Sequence, residues 1–385
     1  MTNEALNIPS AKEPRANADE KLEHIDTLRG FAVLQVMLVH TAQSVLGLSP
    51  AIWKVLSYGM TSIQLFFIVS AFTISLSADK RGDEKNKTLK FFIRRFFRIA
   101  PLYYVAIVWY SLFRSGLHSL STGHLQAAPD YTLTNILANV FFVNGFYPPA
   151  NNNIVPGGWS IGTEMAFYLC FPLLFLFYQK LSEKSTLRFV ILSALTLGIY
   201  FVFEKVLLAM VGARIHDKLF LYYNLLNQMP VFILGILTFF LYKKQAFAKI
   251  PMAVQVLIFI AASWSTLYIP SFIYVSYTAG LSFMFLHNIV ASYKALNPAF
   301  LRRIGQVSFS LFIWHFTFAW NGAEFLNQYL QGVLSPPVLL AIYYPLTVGL
   351  AYLFASLSEK YIEQWGIRIG SQVAQRVGKA DPAKA

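Results

Sequence analysis

Charged residues are scarce in this sequence: they make up 13% of its 385 residues, whereas hydrophobic residues make up 56%. A soluble chain of this length would need more polar residues to cover its outside. The apolar runs repeatedly reach the roughly 20 residues that span a bilayer as a helix. The scarcity of charge therefore excludes an ordinary soluble domain and predicts an integral membrane protein that contacts the lipid bilayer directly.

Cysteine is scarcer still, because Cys170 stands alone in an apolar run. No intramolecular disulfide can form, and we interpret this cysteine as a packed apolar side chain. The sequence also lacks a histidine and carboxylate cluster with the spacing of a metal site, a glycine-rich phosphate loop and a Gly-x-Ser-x-Gly elbow. We therefore predict no bound metal, and any catalysis has to use another arrangement.

The beginning of the chain lacks the pattern of a cleaved signal peptide, since residues 1–22 are polar and mixed in charge. We predict a disordered cytoplasmic tail at 1–22, one transmembrane domain at 23–369 and a second cytoplasmic tail at 370–385. No repeat of fixed period and no low-complexity tract divides the central region. Any catalysis is therefore expected within the membrane domain itself.

Ten apolar runs have the length of membrane-spanning helices, which predicts an all-α, polytopic fold. An eleventh run, at 133–147, has only about 15 residues and suits a re-entrant or interfacial helix better than a full crossing. The ten predicted spans are 28–49, 58–78, 99–117, 161–179, 187–208, 221–242, 251–268, 271–292, 307–329 and 337–357.

Basic residues alternate with the predicted spans, and eight of them lie between Lys80 and Arg98. The predicted outer segments hold only Lys54, Arg114, Arg214 and Lys218. Because basic residues concentrate on the cytoplasmic side, this asymmetry predicts ten crossings with both termini in the cytoplasm. It also accounts for the net charge of +13 without a nucleic-acid partner.

Two ionisable side chains lie in the first predicted span, where such groups cost about 2.5–3.5 kcal/mol and mark candidate functional sites. Arg29 and His40 are eleven residues apart. That is close to three helical turns, so they share one face and stand about 16 Å apart along the axis. Arg29 is either a topology anchor or functional. His40 is either a packed histidine or a base that takes a proton from an attacking hydroxyl.

A pair of arginines, Arg95 and Arg98, lies three residues apart and so on one helical face. Guanidinium groups bind phosphate in a bidentate geometry, which predicts a phosphorylated ligand that enters from the cytoplasm. The alternative is a basic interfacial helix that contacts anionic lipid. The sequence leaves both interpretations open.

The opposite side carries an uncharged, turn-rich segment at 147–158, which leads directly into Trp159, Ser160 and Glu164. We predict that this segment is a loop over a site. Glu164 lies about one turn inside the fourth span, where it is either functional or favoured by the helix dipole. In the ninth span His315 is a second membrane histidine, whereas His287 is expected to have a packed or interfacial role.

The motifs around these residues, taken together, resemble the acyltransferase 3 family of multi-spanning membrane acyltransferases over residues 24–369. Arg29 and His40 match the family's opening pattern of an arginine, ten residues and a histidine. Ala71 in place of glycine and Trp365 in place of proline depart from the family and concern local backbone geometry. The other matching residues are Phe66, Phe67 and Ser70; Arg95, Arg98, Ile99 and Pro101; Trp159, Ser160 and Glu164; Ser308, Phe309, Phe312 and His315; and Ile362 and Glu363.

This resemblance implies transfer of an acyl group, with acetyl as the expected one, from cytoplasmic acetyl-CoA or another acyl-CoA. The acceptor would be a hydroxyl of a saccharide at the outer side of the bacterial inner membrane. The implied site has His40 as base or transient acyl carrier and Glu164 as the group that orients the acceptor or the imidazole. The implied coenzyme-binding residues are Arg29, Arg95 and Arg98, and the implied acceptor-site residues are Trp159, Ser160 and His315.

Many relatives carry a fused extracytoplasmic domain, so this chain is expected to act alone or to pass the acyl group to a separate extracytoplasmic partner. A transporter or flippase with an intramembrane His, Arg and Glu relay is an alternative, although the sequence contains no inverted repeat. A structural subunit of a glycan-export assembly is another. The acceptor, the position acylated and the length of the acyl chain stay open at this point.

Overall fold

The computed structural model describes residues 22–212, 215, 217–269, 271–330 and 332–377, and these ranges contain helices and no β-strand. The tail predicted at 1–22 lies outside the described residues apart from Leu22. Of the tail predicted at 370–385, residues 370–376 continue the last helix and residues 378–385 lie outside the described ranges.

Sixteen α-helices follow one another along the described chain. The first eight are α1 (Glu23–Gln43), α2 (Pro50–Ser57), α3 (Ser62–Lys80), α4 (Lys87–Thr122), α5 (Leu133–Val140), α6 (Gly158–Ser182), α7 (Thr186–Val211) and α8 (Lys218–Tyr223). The others are α9 (Leu225–Lys243), α10 (Met252–Tyr268), α11 (Phe272–Ser292), α12 (Ala299–Gln306), α13 (Ser308–Phe316), α14 (Ala323–Leu330), α15 (Pro336–Ser358) and α16 (Gln364–Arg376).

Seven helical segments of the described chain are long and apolar enough to cross a membrane, and α10 is a shorter apolar helix. The predicted all-α, polytopic membrane fold is confirmed. Two predicted spans are less regular: α1 carries Glu23, Asp26 and Arg29 in its first turns, and a π-helix at Thr317–Gly322 separates α13 from α14. The seven segments are Pro50–Lys80, Lys87–Thr122, Gly158–Ser182, Thr186–Met210, Leu219–Lys243, Phe272–Ser292 and Pro336–Arg376.

The helices run up and down the bundle, so that their charged ends meet on one side. Lys243 Nζ lies 2.7 Å from Asp79 Oδ1, and Arg302 Nη1 lies 2.8 Å from Glu23 Oε2. We call this side, which also contains Arg81 and Lys87, the basic end. α1 begins at the basic end and is about 30 Å long, so its carboxyl terminus lies at the opposite end, together with the amino terminus of α6, which lines the same cavity.

The segment between α4 and α6 is folded rather than spanning. The helix within it, α5, has eight residues and is therefore about 12 Å long, far short of a bilayer. Buried polar groups fix it: the Tyr103 hydroxyl donates to Asn139 Oδ1 at 2.6 Å, and Asn144 Nδ2 donates to the Gly158 carbonyl at 3.2 Å. Gly157 has a φ of +77°, and a Cβ there would stand 2.9 Å from the ring of Phe312. The prediction of a short non-spanning helix is confirmed.

A close contact between α1 and α12 positions the beginning of α1. A Cβ on Gly305 would stand 1.7 Å from the backbone oxygen of Asp26, and one on Gly30 would stand 2.1 Å from that of Leu301. Only glycine permits this approach, as is common where membrane helices pack. The contact holds Arg29, which lies between Asp26 and Gly30, at the bundle interior.

Candidate active site

Three arginines from two helices meet in one cavity inside the bundle. Arg29 comes from α1, whereas Arg95 and Arg98 come from α4, and the space between them and their neighbours is about 760 Å³ including its mouth. We call it the arginine cavity. Its polar lining residues are Arg29, Ser70, Arg95, Arg98, Ser160, Glu164, Tyr168, Gln306, Ser308 and Glu363, and its apolar wall includes Ile63, Phe67 and Phe312. The predicted convergence of Arg29 with Arg95 and Arg98 is therefore seen.

The arginines of this cavity are only partly compensated. Arg95 lies 5.8 Å from the ring centre of Phe91 and 6.0 Å from that of Tyr168, and its Nε is buried without a hydrogen-bond partner in the described structure. Arg29 interacts electrostatically with Asp26 and Glu164. With three arginines against two carboxylates in the lining, the cavity has an excess of positive charge. It therefore suits an anionic ligand.

Each carboxylate of the arginine cavity is held by a serine. Ser70 Oγ donates a short hydrogen bond to Glu164 Oε1, which also accepts one from the Tyr168 hydroxyl at 2.6 Å. Ser310 Oγ donates a short hydrogen bond to Glu363. These bonds fix both carboxylates and leave the guanidinium groups facing the cavity.

His40 lines a second cavity, nearer the opposite end, of about 850 Å³ including its mouth. We call it the histidine cavity. His40 Nδ1 lies 3.0 Å from Gln43 Oε1. An amide oxygen only accepts hydrogen bonds, so Nδ1 is the donor in this contact, and in the neutral imidazole the lone pair then lies on Nε2. The other principal lining residues are Gln43, Asn152, Trp159, Tyr222, Tyr223, Phe316 and Trp320.

The two cavities meet at a thin partition, because Ile63 and Phe312 line both of them. Both side chains are buried, with 8% and 7% of their surfaces exposed. These two apolar side chains therefore separate the arginine cavity from the histidine cavity.

Glu164 does not contact the His40 imidazole, since its described hydrogen bonds go to Ser70 and Tyr168. Of the predicted acceptor residues, Trp159 lines the histidine cavity, where its ring stacks on Tyr223 at 4.4 Å. Ser160, one residue later, lines the arginine cavity and donates to the Gly157 carbonyl at 2.9 Å.

His315 is fully buried behind His40, with ring centres 5.4 Å apart, and lines neither cavity. Its Nδ1 lies 2.8 Å from the Phe312 carbonyl, while its Nε2 has no partner in the described structure. His287 is also fully buried, and its Nε2 lies 3.2 Å from that of His24. The expected packed role of His287 agrees with this burial.

Sequence reasoning gave no site role to four residues that the structure brings to these cavities. Ser70 and Tyr168 are polar residues inside apolar runs, and Glu363 stood in a recognised motif; these were the signals that could have selected them. Gln43 offered the weaker signal of a polar residue one turn after His40. Glu363 ends a π-helical turn at Glu359–Glu363, a feature frequent at functional sites.

The chain matches the acyltransferase domain family, acyltransferase 3, over residues 22–356. It is 25% identical over 373 residues to the O-acetyltransferase OatA of Staphylococcus aureus, which covers 89% of this chain and 56% of that protein. It is also 25% identical over 370 residues to the peptidoglycan O-acetyltransferase OatA of Listeria monocytogenes, with 88% of this chain and 54% of that protein covered. This chain thus spans about half the length of these curated relatives.

A shorter similarity joins the chain to the acyltransferase MdmB of Streptomyces mycarofaciens, with 28% identity over 173 residues, 43% of this chain and 42% of that protein. No solved structure matches the chain. The family match extends from the first described helix into α15 and therefore includes most of the lining of both cavities. The family inferred from the motifs is confirmed, and this chain belongs to the acyltransferase 3 family.

Proposed function

We propose that this chain is a membrane O-acetyltransferase, which moves an acetyl or similar acyl group from acyl-CoA to a hydroxyl of a saccharide. In this proposal the protein lies in the bacterial inner membrane with both termini, and hence the basic end, in the cytoplasm. Acyl-CoA enters at the basic end, and the saccharide reaches His40 from the opposite side. The partition of Ile63 and Phe312, where the arginine cavity meets the histidine cavity, is the observation that carries the proposal.

Arg29, Arg95 and Arg98 are proposed to bind the donor. A coenzyme A thioester carries several phosphate charges, and arginine forks bind such groups in a bidentate geometry. The excess of positive charge in the arginine cavity and the unpartnered Nε of Arg95 suit this ligand. The thioester arm would then point toward Ile63 and Phe312, which places its carbonyl at the passage to His40.

His40 Nε2 is proposed to act on the acceptor in one of two ways. As a base, it takes the proton of the acceptor hydroxyl while the oxygen attacks the thioester carbonyl. The tetrahedral intermediate then expels the coenzyme A thiolate, which recovers a proton. As a carrier, Nε2 itself attacks the thioester and expels the thiolate; the acceptor oxygen then attacks the acyl group, the bond from Nε2 to the acyl carbon breaks, and Nε2 takes the hydroxyl proton, which finally passes to the thiolate. Both routes need an unprotonated Nε2, which is the tautomer of the neutral imidazole that the Gln43 contact favours.

Trp159 and Ser160 are proposed to contact the acceptor, with His315 supporting His40 from behind. Trp159 offers an aromatic face next to the uncharged loop at the opposite end. The names of the two OatA relatives describe O-acetyl transfer, and one of them describes peptidoglycan as the acceptor. A cell-surface or lipid-linked saccharide is accordingly the class of acceptor that we propose.

Mass spectrometry of surface glycans from cells with and without the gene tests this function. We expect glycans that carry an additional acetyl or similar acyl group only when the gene is present. Purified protein in vesicles should also release free coenzyme A from acetyl-CoA when the saccharide identified in this way is added without its acyl group. Solute uptake into such vesicles without acyl-CoA, together with unchanged glycans, would instead support a transporter.

The partition also predicts a change in acyl selectivity. Replacing Ile63 with alanine should raise kcat/KM for butyryl-CoA relative to acetyl-CoA by about tenfold, since a few methylene groups in an apolar pocket change selectivity by at least this much. The ratio does not depend on how much of the variant folds. The control is Ile68→Ala, at a fully buried position of the same helix that lines neither cavity. An equal shift in both variants would contradict the role of Ile63.

A further inference from the structure

A third cavity opens at the basic end, with about 670 Å³ of empty space including its mouth. Its rim carries Arg81, Lys87 and Arg94, and its floor is aromatic, with Phe91, Phe171 and Phe175. We call it the basic groove. Nothing in the proposed function so far uses it.

The basic groove continues the path of the other two cavities along the same helices. On α6 the histidine cavity is lined at Trp159, the arginine cavity between Ser160 and Tyr168, and the basic groove from Phe171 onward. On α4 the groove is lined at 87–94 and the arginine cavity at 95–99. The Phe91 ring lies 5.9 Å from the Tyr168 ring, at the boundary between groove and arginine cavity. A single extended molecule could therefore lie along all three.

Two cations of the groove, Arg81 and Lys87, form no ion pair within 4.0 Å among the described residues, although Arg81 interacts electrostatically with Glu84. Arg94 is compensated, because its Nη2 lies 2.9 Å from Glu84 Oε2, a contact that holds the pKa of Glu84 below its ordinary value. Arg81 Nη1 instead donates to Ser77 Oγ at 2.9 Å, and Lys87 Nζ donates to the Gly82 carbonyl at 3.1 Å.

The one carboxylate in the lining, Asp79, is bound by Lys243. It therefore does not neutralise the rim of the groove. Arg81 and Lys87 leave the groove with charge available for a phosphate.

The floor of the groove is aromatic, and one of its rings is accessible. The half-buried Phe91 ring stacks on Phe171 with their centres 5.2 Å apart, whereas Phe171 and its neighbour Phe175 are buried, so Phe91 is the ring that a ligand in the groove can contact. Aromatic side chains of this kind bind nucleobases by stacking, a contribution that is large for any base. An anionic lipid headgroup would use the cations but has no flat ring for these aromatic side chains. The combination favours a phosphorylated nucleoside.

We propose that the basic groove binds the adenosine 3′-phosphate portion of acyl-CoA, with Arg81 and Lys87 on the 3′-phosphate and the phenylalanine floor next to the adenine. This inference rests on the proposed function and deepens it. The diphosphate would then lie near Arg95 and Arg98, and the pantetheine arm would extend through the arginine cavity toward Ile63. The donor thus follows α6 from the basic end to the partition.

The test measures binding of coenzyme A and of 3′-dephospho-coenzyme A to the purified full-length protein in vesicles of zwitterionic lipid. Wild type should bind coenzyme A at least about tenfold more tightly, since charged hydrogen bonds to a phosphate contribute this much or more. In the double variant Arg81→Ala with Lys87→Ala, the two ligands should bind equally. The matched control is Lys294→Ala with Arg303→Ala, two exposed cations at the basic end outside the groove, which should keep the preference.

The possible outcomes distinguish failure of this inference from failure of the proposed function. If wild type binds both ligands equally, or if the double variant keeps the preference, the 3′-phosphate is not bound by Arg81 and Lys87 and the inference is overturned while acyl-CoA use stands. If wild type binds neither ligand and transfers no acyl group, the proposed function fails together with the inference. If anionic vesicles weaken the binding of coenzyme A to wild type as much as the double substitution does, the groove is a lipid site and the inference is overturned.

Discussion

Replacing His40 with alanine is expected to lower the rate of acyl transfer by about 10²- to 10⁴-fold or more, while the protein stays inserted and abundant in the membrane. The range of about 10²- to 10⁴-fold applies if the imidazole acts only as a base, because general base catalysis contributes about this much. A complete loss is expected if the imidazole is the acyl carrier. The measurement is release of coenzyme A from acetyl-CoA by equal amounts of purified wild type and variant.

The position of His40 gives this prediction its physical basis. The imidazole faces the histidine cavity, and Gln43 fixes its hydrogen on Nδ1. Because His315 is buried behind it without lining the cavity, it cannot replace His40 at the acceptor. Alanine at position 40 would leave a space beside a cavity of about 850 Å³. Added free imidazole is therefore expected to restore part of the activity, which a merely unfolded variant would not show.

His124→Ala is the matched control, because His124 is an exposed histidine outside both cavities. It should retain wild-type activity. Incubation with radiolabelled acetyl-CoA in the absence of acceptor distinguishes the two roles: label bound to wild type and absent from His40→Ala indicates a carrier, whereas no bound label with full activity indicates a base. A His40→Ala variant with normal turnover would contradict both roles.

Much of the fold followed from the lengths of the apolar runs, because a bilayer requires a helix of about 20 residues and leaves few alternatives. The short run at 133–147 was excluded as a span for the same reason. The π-helix at Thr317–Gly322 could not be predicted from the length of its apolar run, since a π-helix depends on packing around it as well as on local sequence. The convergence of Arg29 with Arg95 and Arg98 was expected from the family motifs.

The division of the site into cavities was not predictable, and Glu164 illustrates why. Residue counting placed it and His40 within the membrane, but depth along an axis does not say which neighbour a side chain faces. Successive residues of a helix point in directions about 100° apart, so Trp159 and Ser160 line different cavities. Glu363 was missed because the predicted spans ended at 357, whereas the helix continues through a π-helical turn to bring it beside Ser310.

Replacing Glu164 with glutamine is expected to lower the stability of the unliganded protein by about 3 kcal/mol, since removing one member of a buried charged group leaves the others uncompensated. Glutamine has nearly the same shape, so no cavity is created. Its amide would place hydrogen-bond donors toward guanidinium groups that are also donors. The melting temperature should fall by roughly 4 °C. Glu183→Gln, at the exposed end of the same helix, is the control and should have little effect.

Binding of the donor should offset the stability lost in Glu164→Gln. This effect distinguishes charge compensation by Glu164 from a role in packing. If Glu164 balances Arg29 and Arg95 in the empty cavity, an anionic ligand can take over part of the same role. Saturating coenzyme A should then raise the melting temperature of Glu164→Gln by more than that of wild type. Equal increments in the two proteins would mean that the ligand and Glu164 act on separate groups. A variant as stable as wild type without ligand would mean that the hydrogen bonds from Ser70 and Tyr168, which glutamine can still accept, are all that this position contributes.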